Sequence, residues 1–273
     1  MRFAFETLKR QVQNQAQILC HSAVDFLFPW SCVFCGVRKE SEATCGLDQP
    51  WCGDCQEELI QRNQQRCVQC AAVVGQYSNT ANGCVHCRGK KIRFDSATCV
   101  GMYEGALRKA ILASKWSWSS STIDALTGLL IQQQKQHWLN LDIGAVVAVP
   151  QSARRRLHRY YHAAEMIANR IAKSLNTNVE GNRRLSTTWR TDGLRRIRQP
   201  RPQKRVVLSE RYGNQHQSIG VRDSACVASM NVLIVDDVLT TGATCSEAAR
   251  ALREAGAASC HVAVLGRVLS PGP

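Results

Sequence analysis

Two groups of residues in this chain have chemistry in their spacing: four Cys-x-x-Cys pairs, and an apolar run that ends in two aspartates. The pairs are Cys32–Cys35, Cys52–Cys55, Cys67–Cys70 and Cys84–Cys87. Each pair can turn two thiolates toward one ion, and two pairs complete a tetrahedral site. Gly36, Gly53 and Gly83 sit where the knuckles need tight turns. Four such pairs within 56 residues point to two zinc ions. With every ligand a cysteine, no coordination position stays open, so the zinc would be structural. Sequential pairing is the simpler arrangement: Cys32, Cys35, Cys52 and Cys55 on one ion, and Cys67, Cys70, Cys84 and Cys87 on the other. Spacing alone also admits an interleaved pairing. An iron–sulfur cluster or a thiol redox switch is the competing chemistry. His86 and Cys45 lie among the ligands as bystanders. Cys20, Cys99, Cys226, Cys245 and Cys260 have no partner spacing and read as small core residues.

The second group is VLIVDDVLTTGAT, Val232 to Thr244. A continuous branched apolar run is the mark of a strand buried on both faces of a parallel sheet. Asp236 and Asp237 follow it, and two adjacent acids at a buried strand end repel each other unless something uses them. Thr240, Thr241, Gly242, Ala243 and Thr244 then lead into a helix. Backbone N–H groups, threonine hydroxyls and the helix dipole at such a place bind phosphate. Carboxylates beside them can accept hydrogen bonds from vicinal hydroxyls. A ribose 5-phosphate needs this combination. The alternative is a capped strand–helix turn without a ligand.

These residues need elements to hold them. Strands are predicted over Phe94–Tyr103, Ile143–Val149, Val232–Val235 and His261–Leu265. Helices are predicted over Glu104–Trp116, Asp124–Trp138, Ala163–Leu175 and Thr244–Ala255, the last closed by Gly256. Pro150 ends the IGAVVAV strand. The alternation predicts an α/β fold with a doubly wound parallel sheet, whose ligands bind beyond the carboxyl ends of the strands. The chain divides into a helical arm (1–30), a cysteine module (31–91) and the α/β domain (92–273). Leu8, Val12, Leu19, Val24 and Leu27 give the arm a helical face, which would pack on the cysteine module or lie on a membrane surface.

The 273 residues carry a formal charge of +14, and 44% are apolar. No apolar run approaches the ~20 residues that span a bilayer. The first 30 residues lack the pattern of a signal peptide, which predicts a cytoplasmic protein. Cysteine-rich composition there favours metal over disulfides. Between Arg154 and Arg211, sixteen Lys or Arg face four acids, a net +12. Such a segment suits a polyanion, or is a solvated basic surface. Trp116 and Trp118 are either a stacking surface for bases or core residues.

The run Val232–Thr244 resembles the phosphoribosyl-diphosphate (PRPP) motif of type I phosphoribosyltransferases. The four cysteine pairs, Tyr103-Glu-Gly-Ala-Leu-Arg leading to Lys115, and VVAVP followed by arginines resemble the ComF/GntX family. Leu194 to Gln215 adds to this, with Arg195, Arg196, Gln203, Glu210, Arg211 and Asn214 where that family has them. The resemblance covers roughly Phe26 to Arg267. It implies a type I phosphoribosyltransferase-like domain behind a double zinc ribbon. Asp236 and Asp237 would bind the ribose hydroxyls, directly or through magnesium. Thr240 to Thr244 would hold the 5-phosphate. Gln151, Ser152 and Arg154 would approach the pyrophosphate, and the segment around Arg195–Arg211 would lie over the site as a hood. One stretch departs from the pattern: Tyr160 and His162 stand for a glycine and an asparagine, and Tyr160 lacks a glycine's backbone freedom. His162 is either a general acid or base, or a helix cap.

The family is linked to natural competence and the use of extracellular DNA. The resemblance therefore implies a DNA-uptake or DNA-utilisation accessory protein with a PRPP site. Its partners would be single-stranded DNA or the uptake machinery. The alternatives are an active phosphoribosyltransferase of nucleotide metabolism, and a regulator that senses PRPP without turnover.

Overall fold

A computed structural model of the chain describes residues 31–37, 51–59, 64–80, 83–114, 121–151, 162–176, 188–190, 193–198 and 217–269. The amino-terminal arm, Cys20, Cys45, Lys115, Trp116 and Trp118 lie outside the described residues. In chain order the elements are α1 (Gly53–Leu59), β1 (Ser96–Met102), α2 (Gly105–Ser114), α3 (Ser121–Asn140), β2 (Ile143–Ala148), α4 (Ala163–Asn176) and β3 (Thr188–Arg190). Then follow β4 (Leu194–Arg196), β5 (Ile219–Val221), β6 (Asn231–Leu239), α5 (Ala243–Glu254) and β7 (Ser259–Arg267).

Five strands form one sheet in the order β1-β7-β6-β2-β3, and every pairing is parallel. Period-two alternation divides its side chains between two faces. Val146, Leu233, Val235, Ala263 and Leu265 pack against Leu107, Ile111, Leu126, Leu129, Ile167 and Ile171 of α2, α3 and α4. Val147, Val232, Ile234, Val262 and Val264 face the other way, onto Ala248, Ala249 and Leu252 of α5. Helices therefore cover both faces, which is why the strands read as unbroken apolar runs. Each fully buried Leu or Ile contributes roughly 1.5–3 kcal/mol, so these two layers fix the sheet.

The small antiparallel pair β4–β5 stands apart from this sheet. It is pinned to α5 by Arg250, whose Nη2 donates to the Ile219 carbonyl at 3.1 Å. The short strands β3, β4 and β5 and the helix α1 were not anticipated from the sequence. Three-residue strands and a seven-residue helix leave too little periodicity to read.

The helix boundaries follow local chemistry. Gly256 has φ +91°, and Ala257 N donates to Leu252 O while Gly256 N donates to Arg253 O. This is the left-handed helix stop expected of that glycine. The strand carrying the aspartates, in contrast, is longer than Val232–Val235. It runs on through both acids to Leu239, because β7 keeps pairing with it as far as Arg267. Its other neighbour, β2, stops at Ala148, just before Pro150, which has no N–H to offer a ladder. Of the cysteines outside the four Cys-x-x-Cys pairs, Cys99, Cys245 and Cys260 are buried as expected. Cys226 is only half-buried, and its thiol donates to Asp223 Oδ2 at 3.1 Å.

Candidate metal centres and ribose-phosphate site

The eight cysteines converge as two groups of four sulfurs, Cys32/Cys35/Cys52/Cys55 and Cys67/Cys70/Cys84/Cys87. Within each group all sulfurs lie within 4.8 Å of one another. Individual separations are 3.8 Å for Cys35–Cys52, 3.8 Å for Cys67–Cys87 and 3.5 Å for Cys70–Cys84. A disulfide would bring sulfurs to about 2.05 Å. Four sulfurs about 2.3 Å from one ion at tetrahedral angles stand about 3.8 Å apart. The donor set thus fits a zinc ion in each group, and the grouping is the sequential one. His86 is in neither.

The first knuckle of each group has the same backbone design. Gly36 N donates to Cys32 O and Ala71 N to Cys67 O, each at 2.8 Å. Both Gly36 (φ +73°) and Ala71 (φ +56°) take the left-handed conformation that closes the turn. Amides also point at sulfur, as from Cys52 N to Cys32 Sγ at 3.4 Å. Burial pushes the Cys32 thiol up, but N–H groups of Cys35, Cys52 and Phe34 outweigh it and bring it down to about 7. Burial and the neighbouring sulfurs push Cys55 strongly upward. Four thiols this close cannot all ionise without a cation among them.

The aspartates occupy the end of the sheet. Val149 N donates to Val235 O at 2.9 Å, the last bond between the β2 and β6 backbones. Beyond it β6 has lost one neighbour, and Asp236 and Asp237 stand half-buried at that step. Asp236 Oδ1 accepts from Asp237 N at 2.8 Å, which fixes one carboxylate. The loop turns immediately afterwards. Gly242 has φ +83° and ψ 0°, a conformation that strains any side-chain-bearing residue. Being glycine, it offers no side chain to cap α5. Thr241 is buried, and its Oγ1 accepts from Ala243 N at 3.3 Å. The amino terminus of a twelve-residue helix thus opens beside the two carboxylates. Helix N-termini leave backbone N–H groups without intrahelical partners, so this end favours an anion. Cys245, in the first turn, is inert: burial pushes its thiol well up, and Asp236 and Asp237 push it further.

Other parts gather at the same end of the sheet. Gln151, half-buried, follows the end of β2. Arg196 of β4 donates from Nε to the Pro150 carbonyl at 2.9 Å, which brings this part of the basic segment to that loop. Ser152, Arg154, Tyr160, Gln203, Glu210, Arg211 and Asn214 lie outside the described residues, as does most of the basic segment. His162 precedes α4, and its Nδ1 lies 2.7 Å from Glu165 Oε1. That is a side-chain pair across the first turn of α4. Sequence reasoning missed Arg267, which is buried under the loop at the end of β7. An arginine just after an apolar strand gives no signal of burial.

A family model for the phosphoribosyl transferase domain matches residues 159–271. That span holds β6, the turn at Gly242 and α5. The chain is 27% identical over 222 residues to the DNA utilization protein YhgH of Salmonella typhi, covering 80% of this chain and 90% of that one. It is 24% identical over 221 residues to competence protein F of Haemophilus influenzae, covering 79% and 90%. These likenesses support the resemblance to the ComF family. These alignments are longer than the domain match, so the ComF likeness also reaches the amino-terminal half, where the cysteine groups lie. The YhgH protein of Escherichia coli K12 is 27% identical over 190 residues, 68% of this chain and 78% of that one.

Proposed function

We propose that this protein is a DNA-utilisation accessory protein that retains a PRPP-binding site. The observation that carries the reading is the acidic step on β6 lying directly before a glycine turn and a helix N-terminus. The ComF relatives named for DNA utilisation and competence support it.

In this reading Asp236 and Asp237 accept hydrogen bonds from the 2- and 3-hydroxyls of the ribose. Thr240, Thr241, Gly242, Ala243 and Thr244 hold the 5-phosphate through hydroxyls, amides and the helix dipole. Gln151, Ser152 and Arg154 approach the pyrophosphate, and the basic segment near Arg196 covers it. Two adjacent carboxylates are hard oxygen ligands of the kind magnesium takes alongside substrate oxygens. When bound with PRPP, magnesium would neutralise pyrophosphate charge. Should turnover occur, the arginines would stabilise the leaving pyrophosphate as the anomeric carbon becomes cationic. The cysteine module (31–91) would hold two structural zinc ions beside the phosphoribosyltransferase-like domain (92–273). With the net +12 segment it would form the face toward single-stranded DNA, inside the cytoplasm. Among the described residues no helix is long and apolar enough to cross a membrane.

The test is calorimetric titration of PRPP with Mg²⁺ into the zinc-loaded protein and into the Asp236→Asn/Asp237→Asn variant. Micromolar binding lost in the variant is expected. Absence of binding in the unaltered protein would overturn the ribose-phosphate reading. Salt-dependent binding of single-stranded DNA that survives both substitutions is expected on the accessory reading. Pyrophosphate release with a base would instead establish an enzyme.

A further inference from the structure

Arg267 ends β7 with a side chain that joins the second cysteine group to the phosphate loop. Only 3% of the residue is exposed. Its Nε donates to the Cys70 carbonyl at 2.7 Å. Its Nη1 donates to the Leu239 carbonyl at 3.1 Å and to the carbonyls of Thr240 and Val268. Cys70 belongs to the Cys67/Cys70/Cys84/Cys87 group. Leu239 and Thr240 are the residues from which the loop departs. One guanidinium therefore holds a knuckle on one side and the root of the loop on the other.

The backbone around it is tied as well. Val268 N donates to Leu239 O at 2.9 Å, and Tyr103 N donates to Arg267 O at 2.8 Å. A planar fork with fixed donors holds both ends at once, more firmly than a flexible ammonium could. Electrostatics points the same way. Among the described residues no carboxylate pairs with Arg267, and a buried cation without compensation is costly. Carbonyl dipoles offset part of that cost. One divalent ion with four thiolates carries two net negative charges, which would offset the rest. The first cysteine group meets the α/β domain elsewhere: Glu58 of α1 accepts from Ala106 N at the start of α2, at 2.9 Å.

We propose that Arg267 is a positioning residue that couples the second cysteine group to the phosphate loop. A divalent ion held by Cys67, Cys70, Cys84 and Cys87 then sets the loop's conformation and its affinity for a phosphate ester. The affinity part rests on the PRPP reading above; the conformational part does not.

Amide hydrogen exchange of residues 239–245 separates the two. It is read by mass spectrometry on the full zinc-loaded chain, without ligand, while a chelator removes zinc stepwise. Emptying the second group is expected to raise exchange in this segment about tenfold, and emptying the first group to leave it unchanged. PRPP affinity should fall by between about 5- and 150-fold, the usual span for coupled sites. Coupling is reciprocal, so PRPP should raise the second group's affinity for zinc by the same factor. Unchanged exchange in 239–245 with the second group empty, while β6 and β7 stay protected, would overturn the proposal. If zinc removal unfolds the whole chain, Arg267→Lys and Arg267→Gln decide it in protein retaining both ions. Faster loop exchange in Gln, partly restored in Lys, supports the coupling, and unchanged exchange in both overturns it. Failure of the unaltered protein to bind PRPP would remove the phosphate reading and leave the exchange result standing.

Discussion

Glu247 and Arg250, one helical turn apart on α5, form a nearly buried ion pair, with Arg250 Nη2 2.7 Å from Glu247 Oε1. The same arginine donates to the Ile219 carbonyl and to Glu254. The pair thus joins the helix behind the phosphate loop to the β4–β5 pair, from which Arg196 reaches Pro150. Replacing Arg250 with Met would leave Glu247 buried without its partner. A loss of about 3–5 kcal/mol of stability is expected. Urea unfolding measures it, and the Glu247→Met/Arg250→Met double variant should recover much of the loss. A change below about 1 kcal/mol in the single variant would show that the pair is solvated.

The turn at Gly242 makes a second prediction. Alanine there must adopt φ +83°, at a cost of roughly 1–2 kcal/mol. Thermal unfolding should show that loss, and PRPP binding should weaken more than tenfold as the amides move. The Asp236→Asn/Asp237→Asn variant should behave oppositely. It relieves a like-charge contact, so its melting temperature should hold or rise while binding disappears.

His261 predicts a pH dependence. Its Nδ1 lies 2.8 Å from Ser96 Oγ and its Nε2 2.9 Å from Ser259 Oγ. The Ser259 hydroxyl donates to Asn231 Oδ1 at 2.8 Å, so its oxygen is left to accept from Nε2–H. The network therefore places a proton on Nε2 and leaves Nδ1 to accept from Ser96 Oγ when the ring is neutral. Burial holds the pKa below its ordinary 6.5; Asp95 opposes this, while His137 and Arg253 add to it. The unfolded chain then binds a proton more readily than the folded one. The resulting stability is present above about pH 6.5 and is lost as pH falls through the folded value. Urea midpoints between pH 7.5 and 5.5 should fall more steeply for the unaltered protein than for His261→Gln. Parallel slopes would show that another group governs the decline.

Zinc should leave in order. The second group is buried at all four cysteines, whereas Cys35 of the first is exposed and Cys52 is half-buried. A chelator should release one equivalent quickly and one slowly, followed by a coloured zinc indicator. Cys35→Ser should remove the fast phase and leave the slow one. Simultaneous release of both would mean that the two groups open together.

Much of this was legible in the sequence, for physical reasons that differ by element. Val232–Val235 and Ile143–Ala148 could be read because strands buried on both faces tolerate only apolar residues. The cysteine groups could be read because a metal imposes the Cys-x-x-Cys spacing. Gly256 marked its helix end because few other residues accept that backbone. The far end of β6 could not be read: whether a strand continues past charged residues depends on its neighbour, here β7 extending to Arg267. The roles of Arg250 and Arg267 were hidden for the same reason. Each of these arginines looks like surface charge until the tertiary fold supplies its carbonyl.

The contact between Ala97 N and the Val68 carbonyl, at 2.9 Å, lies on the outer side of β1, the first strand of the five-stranded sheet. Arg66 donates to Cys99 Sγ on the same strand at 3.0 Å, and the Leu59 carbonyl lies close to Gly101. An open parallel edge is a template on which a second chain can add its own strand. The cysteine module covers that template. Metal starvation would therefore endanger solubility as well as function: a chain that loses its zinc would expose a sticky border and tend to polymerise edge to edge.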